Sequence, residues 1–160
     1  MSENSIIMIN SKRFPPFSES ILDWEEIIKY VGDINHCCCD GFSLLHIAVF
    51  HKQYDCVSFF LHKGANPNIQ NIHSQNDYEK SINNGSGLIA ELEDSMMNYN
   101  ITPLHLAVEN NNVEIVRLLL QFGANLLMPA GPGHTPLGRA AQLGFTDCLR
   151  ALIETYFDHR

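Results

Sequence analysis

The stretch that decides the fold runs from Asn100 to Ala130, "NITPLHLAVENNNVEIVRLLLQFGANLLMPA". Thr102 supplies a side-chain oxygen for a helix N-cap, and Pro103 sits at the first helical position, where a missing N–H costs nothing. Leu104, Leu106, Ala107 and Val108 make that first helix apolar, and Asn110, Asn111 and Asn112 end it. Val113, Ile115, Val116, Leu118, Leu119 and Leu120 then predict a second helix that is apolar on most of its circumference. Gly123 closes it where a left-handed residue is wanted. Two helices this short cannot bury so much apolar surface against each other, so the unit needs neighbours.

Copies lie on both sides. Thirty-three residues on, Gly133-His134-Thr135-Pro136-Leu137 restates Asn100-Ile101-Thr102-Pro103-Leu104, and Cys148 to Ile153 falls on Ile115 to Leu120. Upstream, Gly41-Phe42-Ser43-Leu44-Leu45-His46-Ile47-Ala48-Val49 matches with Ser43 as the cap, and Gly64-Ala65-Asn66 is the counterpart of Gly123-Ala124-Asn125. With this period, this opening motif and this terminator, the chain resembles the ankyrin repeat over roughly residues 20 to 70 and 98 to 157.

The resemblance implies an all-α solenoid of stacked helix-turn-helix units with short β-hairpin fingers. It also implies structural roles for Ser43, His46, Thr102, Pro103, His105, Thr135 and Pro136, the motif histidine bonding the cap hydroxyl and nearby backbone. Gly138 replaces that histidine in the last copy, Ser43-Leu44 replaces Thr-Pro in the first full copy, and Asn100 replaces the hairpin glycine in the middle one.

The expected organisation is a flexible segment over 1–17 and a repeat domain over 18–160. Within the domain fall a degenerate repeat at 18–36, a repeat at 38–70, an inserted loop at 71–96, a repeat at 97–129 and a C-terminal capping repeat at 130–160. Pro15-Pro16 bars a first helix from the N-terminal segment. Ile6 to Ile9 is a short apolar run suited to packing over the end of the stack. From Ser18 to Val31, Ile21, Trp24, Ile28 and Val31 share one face at helical spacing, which makes this the second helix of the degenerate repeat and Trp24 a core residue. Asn35 stands six residues before Gly41, as the family pattern requires. In the insert a polar Asn/Ser-rich front reads as loop, and Leu88, Leu92 and Met96 mark a short amphipathic helix.

Composition narrows the function. The 18 acidic against 10 basic side chains give a net charge of −8, without the lysines and arginines that nucleic acid or an anionic membrane demands. Nowhere are there enough consecutive apolar residues for a membrane span, and Ile6 to Ile9 is too short for a signal-peptide core. The five cysteines are an odd number, which fits reduced thiols in a cytoplasmic or nuclear setting, including one reached by delivery into a host cell. In His36-Cys37-Cys38-Cys39-Asp40 a zinc or redox site is the alternative to a cysteine-rich finger. Three adjacent thiols on extended chain alternate faces and cannot all reach one metal, so no metal or cofactor is expected.

Stacks of this kind bind proteins through their fingers and the exposed side of their first helices. Carried over residue by residue, those positions are Cys39, Asp40, Phe42, Phe50 and His51, then Tyr99, Ile101, Glu109 and Asn110, then Pro132, His134, Gln142 and Leu143. Phe42, Phe50, Tyr99, Ile101 and Leu143 would form an apolar stripe on a solvated groove, or else pack between neighbouring fingers. The function expected is a non-enzymatic, monomeric adaptor, inhibitor or effector whose partner is a protein with a basic patch. The alternatives are a self-associating subunit of a larger assembly, and an enzyme pairing one of Cys37 to Cys39 with His46 or His51.

Overall fold

Among the described residues the chain forms seven helices: α1 Ile21–Val31, α2 Leu44–Phe50, α3 Tyr54–His62, α4 Pro103–Glu109, α5 Val113–Gln121, α6 Pro136–Leu143 and α7 Thr146–Asp158. They come from a computed structural model that describes residues 7–9, 12–14, 21–36, 41–71, 100–130 and 134–158. The helices pack as the pairs α2–α3, α4–α5 and α6–α7. The first helices α2, α4 and α6 form one row, and the second helices α3, α5 and α7 a second. Leu104, Ile115, Leu119 and Leu152 are fully buried between the rows, so the core is continuous from pair to pair. This is the expected all-α ankyrin-type solenoid.

Local chemistry sets each element. Ser43, Thr102 and Thr135 cap α2, α4 and α6 through their hydroxyls, and Pro103 and Pro136 follow at the first turn. Between first and second helices the chain must turn back through the left-handed region. Lys52, Asn111 and Gly144 occupy that one position in the three pairs, with φ of 58°, 50° and 72°. Only the third is the residue that enters this region without strain. Asn100, standing in for a finger glycine, likewise has φ of 62°. Asparagine tolerates the left-handed region better than other side chains.

The turns after the second helices are tied by asparagines. Asn35 Oδ1 accepts the Asn66 N–H at 2.7 Å; at the next level, Asn68 Oδ1 accepts the Asn125 N–H at 2.6 Å while its Nδ2 donates to the Gly123 carbonyl at 3.0 Å. α1 joins the second-helix row. Trp24 and Ile27 are buried, and the Trp24 ring meets Phe59 of α3 at 5.4 Å between centroids.

Within the segment 1–17, two short strands are described. β1 Ile7–Ile9 pairs antiparallel with β2 Lys12–Phe14, with Ile7 opposite Phe14 and Met8 opposite Arg13. Strands of three residues are too short to show a two-residue alternation, which is why the sequence conceals them. Ile6, the Ser18 to Ser20 start of the first helix, Cys37 to Asp40, and the insert with Leu88, Leu92 and Met96 lie outside the described residues.

Candidate functional site

The motif histidines build the joints of the stack. His46 Nδ1 lies 2.9 Å from Ser43 Oγ and accepts the Ser43 N–H at 3.2 Å, while Ser43 Oγ accepts the His46 N–H at 3.3 Å. On the far side of the ring, Nε2 is 2.8 Å from the carbonyl of Ile101, in the next repeat. A carbonyl can only accept, so the proton sits on Nε2, and Nδ1 takes the hydrogen bonds of Ser43. His105 repeats the arrangement with Thr102 (2.8 Å) and the His134 carbonyl (2.9 Å). Both rings are fully buried. Burial outweighs the carbonyl hydrogen bond, which favours the charged ring, and pushes each pKa from 6.5 down to about 4. These imidazoles are neutral struts.

The finger carbonyls are shared. His134 O accepts the Ala130 N–H at 2.8 Å as well as His105, and Ala130 O accepts the His134 N–H at 3.1 Å, closing a two-residue antiparallel bridge. One repeat earlier, Asn71 and Ile101 occupy the same two positions. Asn71 N–H donates to Ile101 O at 3.0 Å, but the returning bond, Ile101 N–H at 2.6 Å, ends on the Asn71 side-chain oxygen. Asn71 is buried. Its side chain thus replaces a backbone carbonyl at the root of the longer excursion, and the stack continues in register across it.

The residues expected to touch a partner fall into three groups. Phe42 and Ile101 are in the core, 4% and 2% exposed, which corrects their assignment to an exposed stripe. The physical reason is the histidine joint. The Phe42 ring stands edge-on to His46 at 5.5 Å, and Ile101 carries the carbonyl that His46 grips. A second group is half-buried and occupied within the chain. The Glu109 carboxylate accepts from Arg139 Nε of α6, whose Nη1 donates to Gln142 Oε1 at 3.0 Å. Asn110 Nδ2 donates to the Val49 and Phe50 carbonyls at 3.3 and 3.4 Å, capping the end of α2 from the next repeat. Phe50, packed T-shaped on His51, and Leu143 are also half-buried. The third group, the His134 side chain and Gln142, is exposed. Asp40, Tyr99, Cys39 and Pro132 lie outside the described residues.

Sequence reasoning missed Arg139. It occupies the position filled by Ile47 and Leu106 in the preceding pairs, both buried, and its side chain is only 11% exposed. A lone arginine in an apolar column, one repeat beyond a lone glutamate, is the signal that could have found the pair. The ends of α2, α4 and α6 therefore form one connected surface: half-buried and aromatic at Phe50–His51, charged and internally satisfied at Glu109–Arg139–Gln142.

The described thiols and imidazoles of the core have little chemistry to offer. Burial raises the pKa of Cys56 and Cys148, so both stay protonated, and Cys148 donates to Asn111 Oδ1 at 3.3 Å. His46 has both ring nitrogens committed, so it cannot serve a thiol as base. No group of three His, Cys, Asp or Glu side chains able to hold a metal occurs among the described residues, and none of the described helices is long and apolar enough to cross a membrane. An apolar cleft of about 390 Å³ lies between the turn at Asn125–Leu127 and Thr155–Tyr156, without converging charged groups.

Comparison with known proteins agrees with the geometry. The model of the ankyrin repeats (3 copies) family matches residues 80–160, and that of the single ankyrin repeat matches residues 40–72. A protein of Rickettsia bellii named for its ankyrin repeats is 33% identical over 126 residues, covering 67% of this chain and 35% of its own length. A similarly named fowlpox virus protein is 30% identical over 132 residues (72% of this chain, 38% of its own). The human transient receptor potential cation channel subfamily A member 1 is 28% identical over 127 residues, 74% of this chain but 11% of the channel. The chain thus spans well under two thirds of each of these relatives. Three helix pairs, two histidine joints and both family matches identify the chain as a member of the ankyrin-repeat family.

Proposed function

We propose that the chain is a non-enzymatic protein-binding module that docks a partner protein on the surface formed by the ends of α2, α4 and α6 and the neighbouring fingers. The observation that carries this reading is the continuity of that surface: Asn110 reaches back to Phe50, and Glu109 accepts from Arg139, which in turn donates to Gln142. Three repeats therefore present one preorganised face, on which little ordering entropy is lost at docking. Phe50, His51, Asn110, Leu143 and Gln142 are the contact residues, with His134 on its finger, Asp40 and Tyr99 as further contacts expected from the sequence alone, and Glu109 tuning charge from below. Phe42 and Ile101 support the face from within. The net charge of −8 favours a partner with a basic patch. Ankyrin repeats in general bind proteins and the family is typically non-enzymatic, which supports the assignment; adaptor, inhibitor or effector action inside a cell is the role that fits it.

Replacing His51, Gln142 and Leu143 together with alanine tests the proposal. Capture of partners from cell lysate should be lost, and binding to the wild type should weaken as salt rises, with the melting temperature within a few degrees of wild type. Undiminished capture by a folded triple variant would refute it.

A further inference from the structure

We infer that α7 is a self-association surface, on which a second copy of this chain pairs its own α7 antiparallel. This goes beyond the groove reading and uses a different face. In the middle repeat Val116 and Leu120 of α5 are 0% and 4% exposed because α7 covers them. The residues standing at the same positions in α7 are Leu149, half-buried, and Ile153, 39% exposed. In the first-helix row, Val108 is fully buried whereas its counterpart Ala141 is exposed. The face is built like an inter-repeat surface and stays uncovered among the described residues.

The histidine that would clasp another repeat in register is absent from this face. Gly138 stands where His46 and His105 carry the Nε2–H that grips the next finger. One level back, in the turn between α5 and α6, Leu127, 47% exposed, replaces the asparagine that at Asn35 and Asn68 bridges to the following turn, here the end of α7 itself. α7 runs helically to Asp158, through the positions at which Gly123-Ala124-Asn125 ends the preceding repeat. What remains is a helical ridge. Phe145, Leu149, Ile153 and Phe157 recur every fourth residue, and Phe157 is 64% exposed. Rows with this spacing interdigitate when two helices pack.

Charge selects a second copy as the occupant. In an antiparallel pair Leu149 faces Ile153 of the other copy, and Phe145 faces Phe157. Arg150 and Glu154 flank the ridge on one side, so the Arg150 of each copy comes beside the Glu154 of the other. Their present partners, Asp147 at 3.7 Å and Arg117 at 3.2 Å, are more than half exposed and easily exchanged. A 13-residue helix is about 20 Å long, which gives a contact below the standard interface of about 1,600 Å² and hence a weak, reversible dimer.

Sedimentation of the full chain from about 5 µM to about 500 µM should show a monomer–dimer equilibrium in the tens of micromolar, weakened about tenfold or more by Ile153→Asp. Arg150→Glu and Glu154→Arg should each weaken self-association, and mixing the two variants should restore it, because both cross-pairs then become attractive. Circular dichroism verifies that each variant is folded. A monomer at every concentration, association indifferent to Ile153→Asp, or a mixture that fails to regain dimer would each overturn the inference.

Discussion

Between α2 and α4, and again between α4 and α6, a buried histidine ties its own N-cap to the finger of the following repeat. Beyond α6 the same position is Gly138, and the cap of that helix is a single hydrogen bond from Gly138 N–H to Thr135 Oγ1 at 3.0 Å. All three helix pairs form, so the histidine is not needed to make a repeat. It belongs to the junction, and is present where a finger carbonyl waits to receive it. The last pair is held by the His105 joint, by the Arg139–Glu109 ion pair and by the apolar contact of α7 on α5.

Acid should break this contrast most strongly. Each buried ring has its folded pKa pushed down to about 4 from 6.5, so between these values the unfolded chain binds more protons than the folded one. Stability is therefore full above pH 6.5, falls as pH drops, and levels off below pH 4. The loss by pH 5 is about 2 kcal/mol for each ring, or about 4 kcal/mol for both. Urea denaturation midpoints across this range measure it.

His105→Ala should cost about 2–4 kcal/mol, since it opens a cavity and strips buried hydrogen bonds from Thr102 and His134. The reciprocal change, Gly138→His, should alter stability by no more than about 0.5 kcal/mol, as no finger lies beyond it among the described residues to take the second hydrogen bond. Its Cβ would also come within 3.1 Å of Thr135 Oγ1. Equal effects at the two sites, read from chemical denaturation, would dissolve the distinction drawn between junction and end.

At the last junction, Glu109→Ala should cost about 1–3 kcal/mol by leaving the Arg139 guanidinium half-buried without its carboxylate. The double change Glu109→Gln with Arg139→Leu, which restores the apolar residue type of Ile47 and Leu106, should come within about 1 kcal/mol of wild type. Thermal unfolding of the three proteins separates these outcomes. The smallest effect belongs to the turn. Lys52→Gly should stabilise by about 0.5–1 kcal/mol, because lysine alone of the three turn residues is poorly suited to positive φ.

Much of this architecture was legible because it is local. Thr102-Pro103 fixed the start of α4, Gly123 the end of α5, and the spacing of Trp24 and Ile28 the buried side of α1. The 33-residue repeat then placed the helices against one another. What depended on contact across repeats was not legible. Nothing near Phe42 or Ile101 in sequence says that the histidine joint will draw them inward, and Glu109 looks like any surface acid until Arg139 is brought beside it. The Asn71 clasp was hidden for the same reason: a side chain does there what backbone does at Ala130. The pattern pointed to an insertion, but not to the residues that seal its base.

The joint itself can be observed directly by nitrogen-detected NMR of the His46 and His105 rings. The account predicts that both are neutral with the proton on Nε2, and that both stay so as pH is lowered through 6.5, titrating only toward about 4. A ring carrying its proton on Nδ1, or one that titrates near 6.5 in the folded protein, would contradict it.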